Sequence, residues 1–253
     1  MRITVLILLF VGIAACAWGG NMGSAVEVEI ISDGGKTLPL YPVSFRSTHR
    51  KAYAEAVKGE QYGIIVRNRL NRRVGVVIAV DGRNIISGKK SWLLNSERMY
   101  VLEPYDQGEY KGWRTGIDKI NRFYFTDAAD SYAAAFKDES AMGVIAVAAY
   151  PEVCRYEKSE ELFSTRNKSF DRSAPSAKAQ GEAAGTGFGR EEYSPVHIVE
   201  FEPESTAVEK IYLKYEWRAT LCRKGIIQCG KIRPERNRMW DDEGFAPPPP
   251  GRF

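Results

Sequence analysis

The chain has 253 residues, of which 44% are hydrophobic and 27% charged, a balance that excludes a largely disordered or collagen-like protein. Its 36 Lys and Arg residues against 32 Asp and Glu residues give a net charge of +4, which is too weak a bias to predict nucleic acid as a partner. The chain contains two histidines, so the composition argues against a histidine-rich metal site or a His-based triad. We predict no metal ion and no cofactor.

The first twenty residues have the pattern of a signal peptide. Arg2 supplies a positive charge, and residues 3–15 form an apolar run that is shorter than the roughly 20 residues needed to span a bilayer. Residues 13–16 (IAAC) resemble a bacterial lipobox, in which Cys16 is acylated and becomes the new N-terminus. Residues 17–19 (AWG) resemble an ordinary cleavage site, which would remove Cys16. An uncleaved apolar N-terminus is the third alternative.

Both processing routes predict a protein of the bacterial cell envelope. If Cys16 is acylated, Ala17 follows it rather than aspartate, which favours an outer-membrane lipoprotein facing the periplasm, anchored by its lipid. Cleavage after Gly19 would leave a periplasmic or secreted protein. Cys222 and Cys229 are predicted to form a disulfide, since Gly225 allows the chain to reverse between them. Cys154 is left over and is predicted to be a buried structural thiol.

Alternation of apolar and polar residues, interrupted by turn residues, predicts a protein built of short strands. A longer apolar run at 141–150 suits a central strand that is buried on both faces, and residues 130–136 suit a short helix capped by Asp127 and Asp130. The runs at 62–68 and 74–81 are predicted to pair in a β-meander with Ile85 and Ile86. The other predicted strands are 26–31, 36–43, 53–57, 99–102, 121–126, 196–201 and 210–221.

These elements predict one all-β domain, an antiparallel β-sandwich of immunoglobulin-like or jelly-roll-like type. Residues 25–157 would form the core of the sandwich, and residues 193–230 would complete it. Between them, residues 158–192 are rich in small and charged residues and are predicted to be a long flexible insertion. Residues 231–253 form a basic, proline-rich tail.

Aromatic residues supply the candidate ligand-binding site. Trp113 lies between Gly112 and Arg114, which suggests a loop or strand end, and Tyr105 and Tyr110 precede it by a few residues. Exposed aromatic rings on a β-sandwich can stack on sugars or anchor a protein interface. We therefore predict a ligand-binding surface at Tyr105, Tyr110, Trp113 and Arg114, while core packing remains the alternative for each ring.

Charged clusters give a second set of candidate surfaces. Basic residues surround the connection at 67–73 and recur along 218–238, and a run of acids lies at 241–243. In an envelope protein, basic patches suit anionic head groups or another protein, and an ordinary solvated surface is the alternative. The glycine-rich stretch 185–189 lacks the strand, lysine and helix of a phosphate loop, so we predict a plain loop there.

Part of the chain resembles a family of uncharacterised bacterial secreted proteins. The resemblance covers residues 62–152 and rests on the order of six short stretches: 80–84 (VDGRN), 86–88 (ISG), 100–104 (YVLEP), 112–114 (GWR), 130–132 (DSY) and 143–145 (GVI). It implies a secreted globular domain. It implies no activity, ligand or catalytic residue.

The sequence thus predicts a non-catalytic binding or scaffolding protein of the envelope, with an envelope protein or glycan as its partner and no catalytic residues. One alternative is a carbohydrate-binding module, which requires a flat platform of exposed aromatic rings. Another is a polysaccharide hydrolase, which requires two carboxylates facing each other across a cleft.

Overall fold

A computed structural model describes residues 24–46, 49–153 and 183–229. Four sequence predictions therefore lie outside the described residues. These are the signal peptide with Cys16, the unpaired Cys154, the greater part of the insertion at 158–192 and the tail at 231–253.

The described residues form two packed β-sheets, which confirms the prediction of an all-β sandwich. Two short helices, α1 and α2, and a 3₁₀ turn at Ala128–Asp130 are the helical elements among them. In chain order the elements are β1 (Val26–Ser32), β2 (Leu40–Arg46), β3 (His49–Ala56), β4 (Gln61–Asn68), β5 (Val74–Val80), β6 (Arg83–Asn84), β7 (Tyr100–Leu102), β8 (Gln107–Tyr110), β9 (Gly112–Arg114), β10 (Lys119–Asp127), α1 (Tyr132–Ala135), β11 (Val144–Pro151), β12 (Ala184–Thr186), β13 (Glu191–Tyr193), β14 (Glu209–Trp217) and α2 (Arg218–Arg223). None of these described helices is long and apolar enough to cross a membrane.

The first sheet has the strand order β1-β4-β10-β12, with β8 paired to β4 and with β9 and β13 paired to β10. The second sheet has the order β2-β3-β14-β11-β5-β6, with β7 paired to β5. Every strand pair is antiparallel except β3 with β14, which run parallel and match His49 with Lys210 and Ala56 with Trp217. The predicted antiparallel sandwich therefore contains one parallel pair among its described strands.

The core lies between the two sheets and follows the period of two along each strand. Val28 and Ile30 of β1, in the first sheet, and Ile211 and Leu213 of β14, in the second sheet, belong to this one core, and all four side chains are fully buried. A second apolar cluster lies on the outer face of the second sheet, where Leu93 and neighbouring loop residues cover β5 and β11. Because both faces of β5 and β11 are covered, these strands are apolar along their whole length.

The chain enters the sandwich at a buried carboxylate. The backbone amides of Ser24, Ala25 and Val26 donate hydrogen bonds to Glu209 at 2.9, 2.8 and 3.2 Å. The guanidinium of Arg50 lies 2.6 Å from the same carboxylate, which is only 1% exposed. Glu209, the first residue of β14, therefore anchors the start of β1.

Two topological expectations are wrong. The runs at 62–68 and 74–81 became β4 and β5, but these strands lie in different sheets, so residues 69–73 carry the chain across the sandwich and no meander forms. Residues 36–43 do not return as a strand beside β1. A single bridge joins Ile31 to Thr37, after which β2 pairs with β3 in the second sheet.

Three local expectations are also corrected. Within the predicted flexible insertion, β12 and β13 both pair with β10, and Ala184 and Thr186 are buried. Residues 196–201 contain no strand, and the strand predicted to end at residue 221 ends at Trp217, where α2 follows.

The short helix is capped by a residue that the sequence prediction passed over. The hydroxyl of Ser131 accepts a hydrogen bond from the amide of Ala134 at 3.1 Å. Asp127 makes no capping hydrogen bond and pairs instead with Lys58. Serine and aspartate cap helices equally well, so the cap is made by Ser131 because it directly precedes the helix.

Candidate binding site

The predicted site at Trp113 is wrong, because its side chain is part of the core and only 2% exposed. Asn121 of β10 pairs with Trp113, and the indole N–H donates to the carbonyl of Gly187 at 3.0 Å. The ring packs edge-on against Phe123, with centroids 5.2 Å apart, and its centroid lies 4.4 Å from that of Tyr132. Gly112 marks a close approach to the carbonyl of Asn121 rather than a loop.

The other three predicted ligand-binding residues do not form one surface. Arg114 is half-buried and holds a loop in place, because its guanidinium donates to the carbonyl of Ser194 at 2.8 Å and to the hydroxyl of Tyr100 at 2.7 Å. Tyr110 is buried, and burial raises the pKa of its phenol. Tyr105 alone is largely exposed, at 71%, in a turn with a φ of 60°.

The arginines at 67–73 are matched by glutamates, so this predicted basic patch carries little excess charge. Arg67 lies 3.0 Å from Glu29, and Arg73 lies 2.8 Å from Glu152. Further ion pairs of the patch are Arg67 with Glu27, Arg69 with Glu27, Arg72 with Glu204 and Arg73 with Glu103. The solvated-surface interpretation accounts for these residues.

An uncovered basic surface does exist, on the outer face of the second sheet. Where β3 and β14 run side by side, Lys51 lies beside Tyr212 and Tyr53 lies beside Lys214. These residues line a groove of about 380 Å³, which we call the lysine–tyrosine groove. Its lining residues are Val43, His49, Lys51, Ala52, Tyr53, Val144, Tyr212 and Lys214.

The inward and outward alternation of the two strands produces this surface. Ala52 and Ala54 of β3 and Leu213 of β14 are buried in the core, so the residues between them point outward. The loop cluster around Leu93 covers β5 and β11 and extends to Val144 and Tyr212, and Lys51 stays exposed. The groove therefore begins where that cover ends.

Each tyrosine of the groove carries an ammonium group over its ring. Lys51 Nζ lies 5.9 Å from the centroid of Tyr212, and Lys224 Nζ lies 5.4 Å from that of Tyr53. At these distances the ring faces attract the cations. Lys51 forms no ion pair with any residue in the described part of the chain.

Lys214 is the more enclosed cation of the groove. Its ammonium donates to the carbonyl of Met142 at 2.6 Å, and its closest carboxylate, that of Glu216, is 3.9 Å away. Glu216 is paired more closely with Lys224, at 2.6 Å. Desolvation lowers the pKa of Lys214, because burial disfavours its charged form. An anion bound in the groove would offset that cost.

A buried polar network lies beneath the groove, on the core side of the second sheet. Asp81 accepts hydrogen bonds from the hydroxyl of Tyr215 at 2.5 Å and from the amides of Gly143 and Thr186 at 2.7 Å each. Tyr62 joins the same network through the hydroxyl of Thr186. Burial raises the pKa of Asp81 to about 6. No side chain of the network reaches solvent, so it is a structural element.

The exposed aromatic residues near Trp113 do not form a flat platform. Phe136 and Phe188 are 52% and 44% exposed and both contact Tyr132. The ring of Phe136 is tilted by 67° from that of Tyr132, whereas Phe188 is stacked on Tyr132 with centroids 5.4 Å apart. The guanidinium of Arg83 lies over the ring of Phe136, 4.0 Å from its centroid. The two exposed rings therefore do not lie side by side in one plane.

The groove offers binding chemistry and lacks the carboxylate pair of a glycosidase. Its lining residues include no carboxylate, whereas a glycosidase holds two of them across its cleft. Across residues 24–46, 49–153 and 183–229, no group of three or more His, Cys, Asp or Glu side chains is arranged to hold a metal ion.

Sequence reasoning missed this groove for a topological reason. The outward positions of β14, which include Tyr212 and Lys214, are visible in its alternating pattern. Their neighbours Lys51 and Tyr53 lie about 160 residues earlier in the chain, and only the parallel pairing of β3 with β14 brings the two sets together. Comparisons of the chain with family models, with curated proteins and with solved structures find no match.

Proposed function

We propose that this protein is a non-catalytic binding module of the bacterial cell envelope and that it holds an anionic partner in the lysine–tyrosine groove. The observation that carries the proposal is the pairing of Lys51 and Lys214 with two tyrosine rings on one open face. Cations next to aromatic rings suit a partner that carries both negative charge and apolar surface, which is the chemistry of an acidic segment of an envelope protein.

Two features support a location in the envelope. Residues 1–20 have the pattern of a signal peptide, with Cys16 as the candidate lipid attachment site. Cys222 and Cys229 form a disulfide with their Cα atoms 5.6 Å apart, and structural disulfides persist mainly in oxidising compartments.

The two alternatives have less support. A carbohydrate-binding module would need coplanar exposed rings, and the cluster around Tyr132 packs its rings against one another. A polysaccharide hydrolase would need a pair of carboxylates in the cleft, and the groove presents lysines.

Binding of fluorescein-labelled poly-L-glutamate, measured by fluorescence anisotropy, tests the proposal. The double variant Lys51→Gln, Lys214→Gln is expected to bind at least tenfold more weakly than the wild type, since a charge-assisted contact contributes roughly 1.5–3 kcal/mol. Added salt should weaken the wild-type complex.

A matched control removes the same charge elsewhere. Lys36 and Lys89 are exposed, lie outside the helices and strands, and are not among the lining residues of the groove, so Lys36→Gln, Lys89→Gln should bind within twofold of the wild type. If the control loses as much affinity as the groove variant, attraction is a property of net charge, and the groove is not the site.

A further inference from the structure

The last described residues bring the C-terminal tail to the edge of the lysine–tyrosine groove. Helix α2 follows β14 directly, and the disulfide from Cys222 to Cys229 holds the chain against this helix. Lys224, inside the disulfide loop, contacts both Tyr53 and Glu216. Cys229, the last described residue, is therefore tied to a segment that contacts Tyr53 of the groove.

That tail contains the chemistry that the groove selects. After four basic residues between 231 and 238, the sequence runs Trp240, Asp241, Asp242, Glu243, Gly244 and Phe245. Three consecutive carboxylates are flanked by two aromatic rings. We infer that residues 240–245 occupy the lysine–tyrosine groove of their own chain, an inference that rests on the proposed function of the groove.

Charge and shape are complementary at each end of the groove. The carboxylates of residues 241–243 meet Lys51, which has no ion pair in the described part of the chain, and Lys214, whose closest carboxylate is 3.9 Å away. The flanking rings cover apolar side chains at the groove margin, where Val43 is 57% exposed. Binding thus gives the two cations carboxylate partners and also removes apolar surface from water.

Chain length permits this contact. The ten residues between Cys229 and Trp240 reach up to roughly 35 Å at about 3.3–3.6 Å per residue. The groove is short by comparison, because residues 49–53 of β3 span about 13 Å. The other acidic segment, at 157–161, starts from the far end of β11, about 23 Å along that strand from Val144.

A tail bound in the groove would compete with an external partner for the same site. A short tether holds its segment at an effective concentration on the order of millimolar. An external acidic partner must displace it and so binds more weakly to the intact chain than to a chain whose tail cannot compete. The tail therefore raises the concentration of envelope partner that is needed to fill the groove.

Competition with a synthetic peptide tests this inference on the full chain produced in a bacterial envelope. The probe is a fluorescein-labelled peptide with the sequence of residues 239–246 (MWDDEGFA). The tail variant Asp241→Asn, Asp242→Asn, Glu243→Gln is expected to bind the peptide at least tenfold more tightly than the wild type. The control Glu157→Gln, Glu160→Gln, Glu161→Gln makes the same charge change and should behave like the wild type.

The outcomes separate the two proposals. Equal peptide affinity for the wild type and the tail variant would overturn the tail inference. If the tail variant binds poly-L-glutamate through Lys51 and Lys214 but does not bind the peptide, the inference fails and the proposed function stands. If it binds neither probe, both fail.

Zero-length cross-linking with a carbodiimide gives an independent measurement. At low micromolar concentration, the monomeric product should contain a bond between Lys51 or Lys214 and one of residues 241–243, identified by mass spectrometry. Cross-links from these lysines to Glu157, Glu160 or Glu161, or links found only in dimers, would overturn occupation by the same chain's tail.

Discussion

Replacing Asp81 with asparagine removes the charge of the buried network while leaving the size of the side chain nearly unchanged. Asp81 lies in the two-residue turn between β5 and β6, where it and Gly82 have φ angles of 49° and 79°. Positive φ at both turn residues favours Asp-Gly or Asn-Gly, so asparagine fits the backbone. The substitution therefore tests the carboxylate rather than the turn.

The structure predicts how the effect depends on pH. Burial raises the pKa of Asp81 from 3.8 to about 6 in the folded protein. Because the folded pKa lies above the unfolded one, ionisation favours unfolding, and the contribution of Asp81 to stability falls as the pH rises through 4 to 6. The ionised carboxylate costs about 3 kcal/mol at pH 7 and about half of that at pH 5.

Asparagine carries no such pH-dependent cost. Its oxygen can replace one carboxylate oxygen, but its amide nitrogen must then face either the amide of Thr186 or the donors Gly143 and Tyr215. An unmatched buried donor costs about 1–3 kcal/mol at any pH. The difference in unfolding free energy, wild type minus variant, should therefore be about 1 kcal/mol larger at pH 5 than at pH 7.

Urea unfolding followed by far-ultraviolet circular dichroism at pH 5, 6 and 7 measures this difference. Other titrating groups are common to both proteins and cancel when the two unfolding free energies are subtracted. A difference that is constant with pH, or that shrinks on acidification, would refute the reasoning and would mean that Asp81 titrates near its ordinary pKa.

Two further predictions concern the core and the start of the fold. Trp113→Ala should lower the free energy of unfolding by about 3–5 kcal/mol because it empties a buried site. Trp113→Phe should lower it by about 1–2 kcal/mol because the hydrogen bond to Gly187 is lost. If the urea midpoint of the alanine variant equals that of the wild type, the buried placement of Trp113 is contradicted. Glu209→Gln should raise the rate of amide hydrogen exchange at Ala25 and Val26 at least tenfold relative to the rate in β11. The reason is that a neutral amide holds these donors and Arg50 less strongly than a carboxylate does. Unchanged exchange rates would show that the anchor does not depend on the charge of Glu209.

The strands that the sequence predicted best are those whose pattern is set by burial alone. Residues 144–151 and 74–80 are apolar throughout, and both became central strands covered on both faces. The alternation of β14 likewise identified its outward residues, because a strand with one buried face must alternate. Burial is a local consequence of residue type, so local reasoning recovers it.

Which strands pair with one another is not a local property, and the sequence-based predictions of strand pairing were wrong. Residues 69–73 look like a hairpin connection between two apolar runs, but β4 and β5 join different sheets. Trp113 failed for a related reason. A tryptophan between glycine and arginine suits a loop, and only its pairing with Asn121 on β10 turns the ring into the core. The candidate site needed the same information, since Lys51 and Lys214 meet through the single parallel pair.

The groove differs from the rest of the charged surface in how its cations are matched. Around residues 67–73 each arginine has a glutamate within 4 Å, the arrangement expected where charge serves only solubility and local order. In the groove, Lys51 contacts the ring of Tyr212 and forms no described ion pair. Lys214 is partly desolvated, and its nearest carboxylate, that of Glu216, lies closer to Lys224. This carboxylate therefore offsets the desolvation cost of Lys214 only in part. The fold neutralises its basic loop with glutamates but leaves these two cations of one open face short of carboxylates, which is why we propose an anionic segment as the partner of the groove.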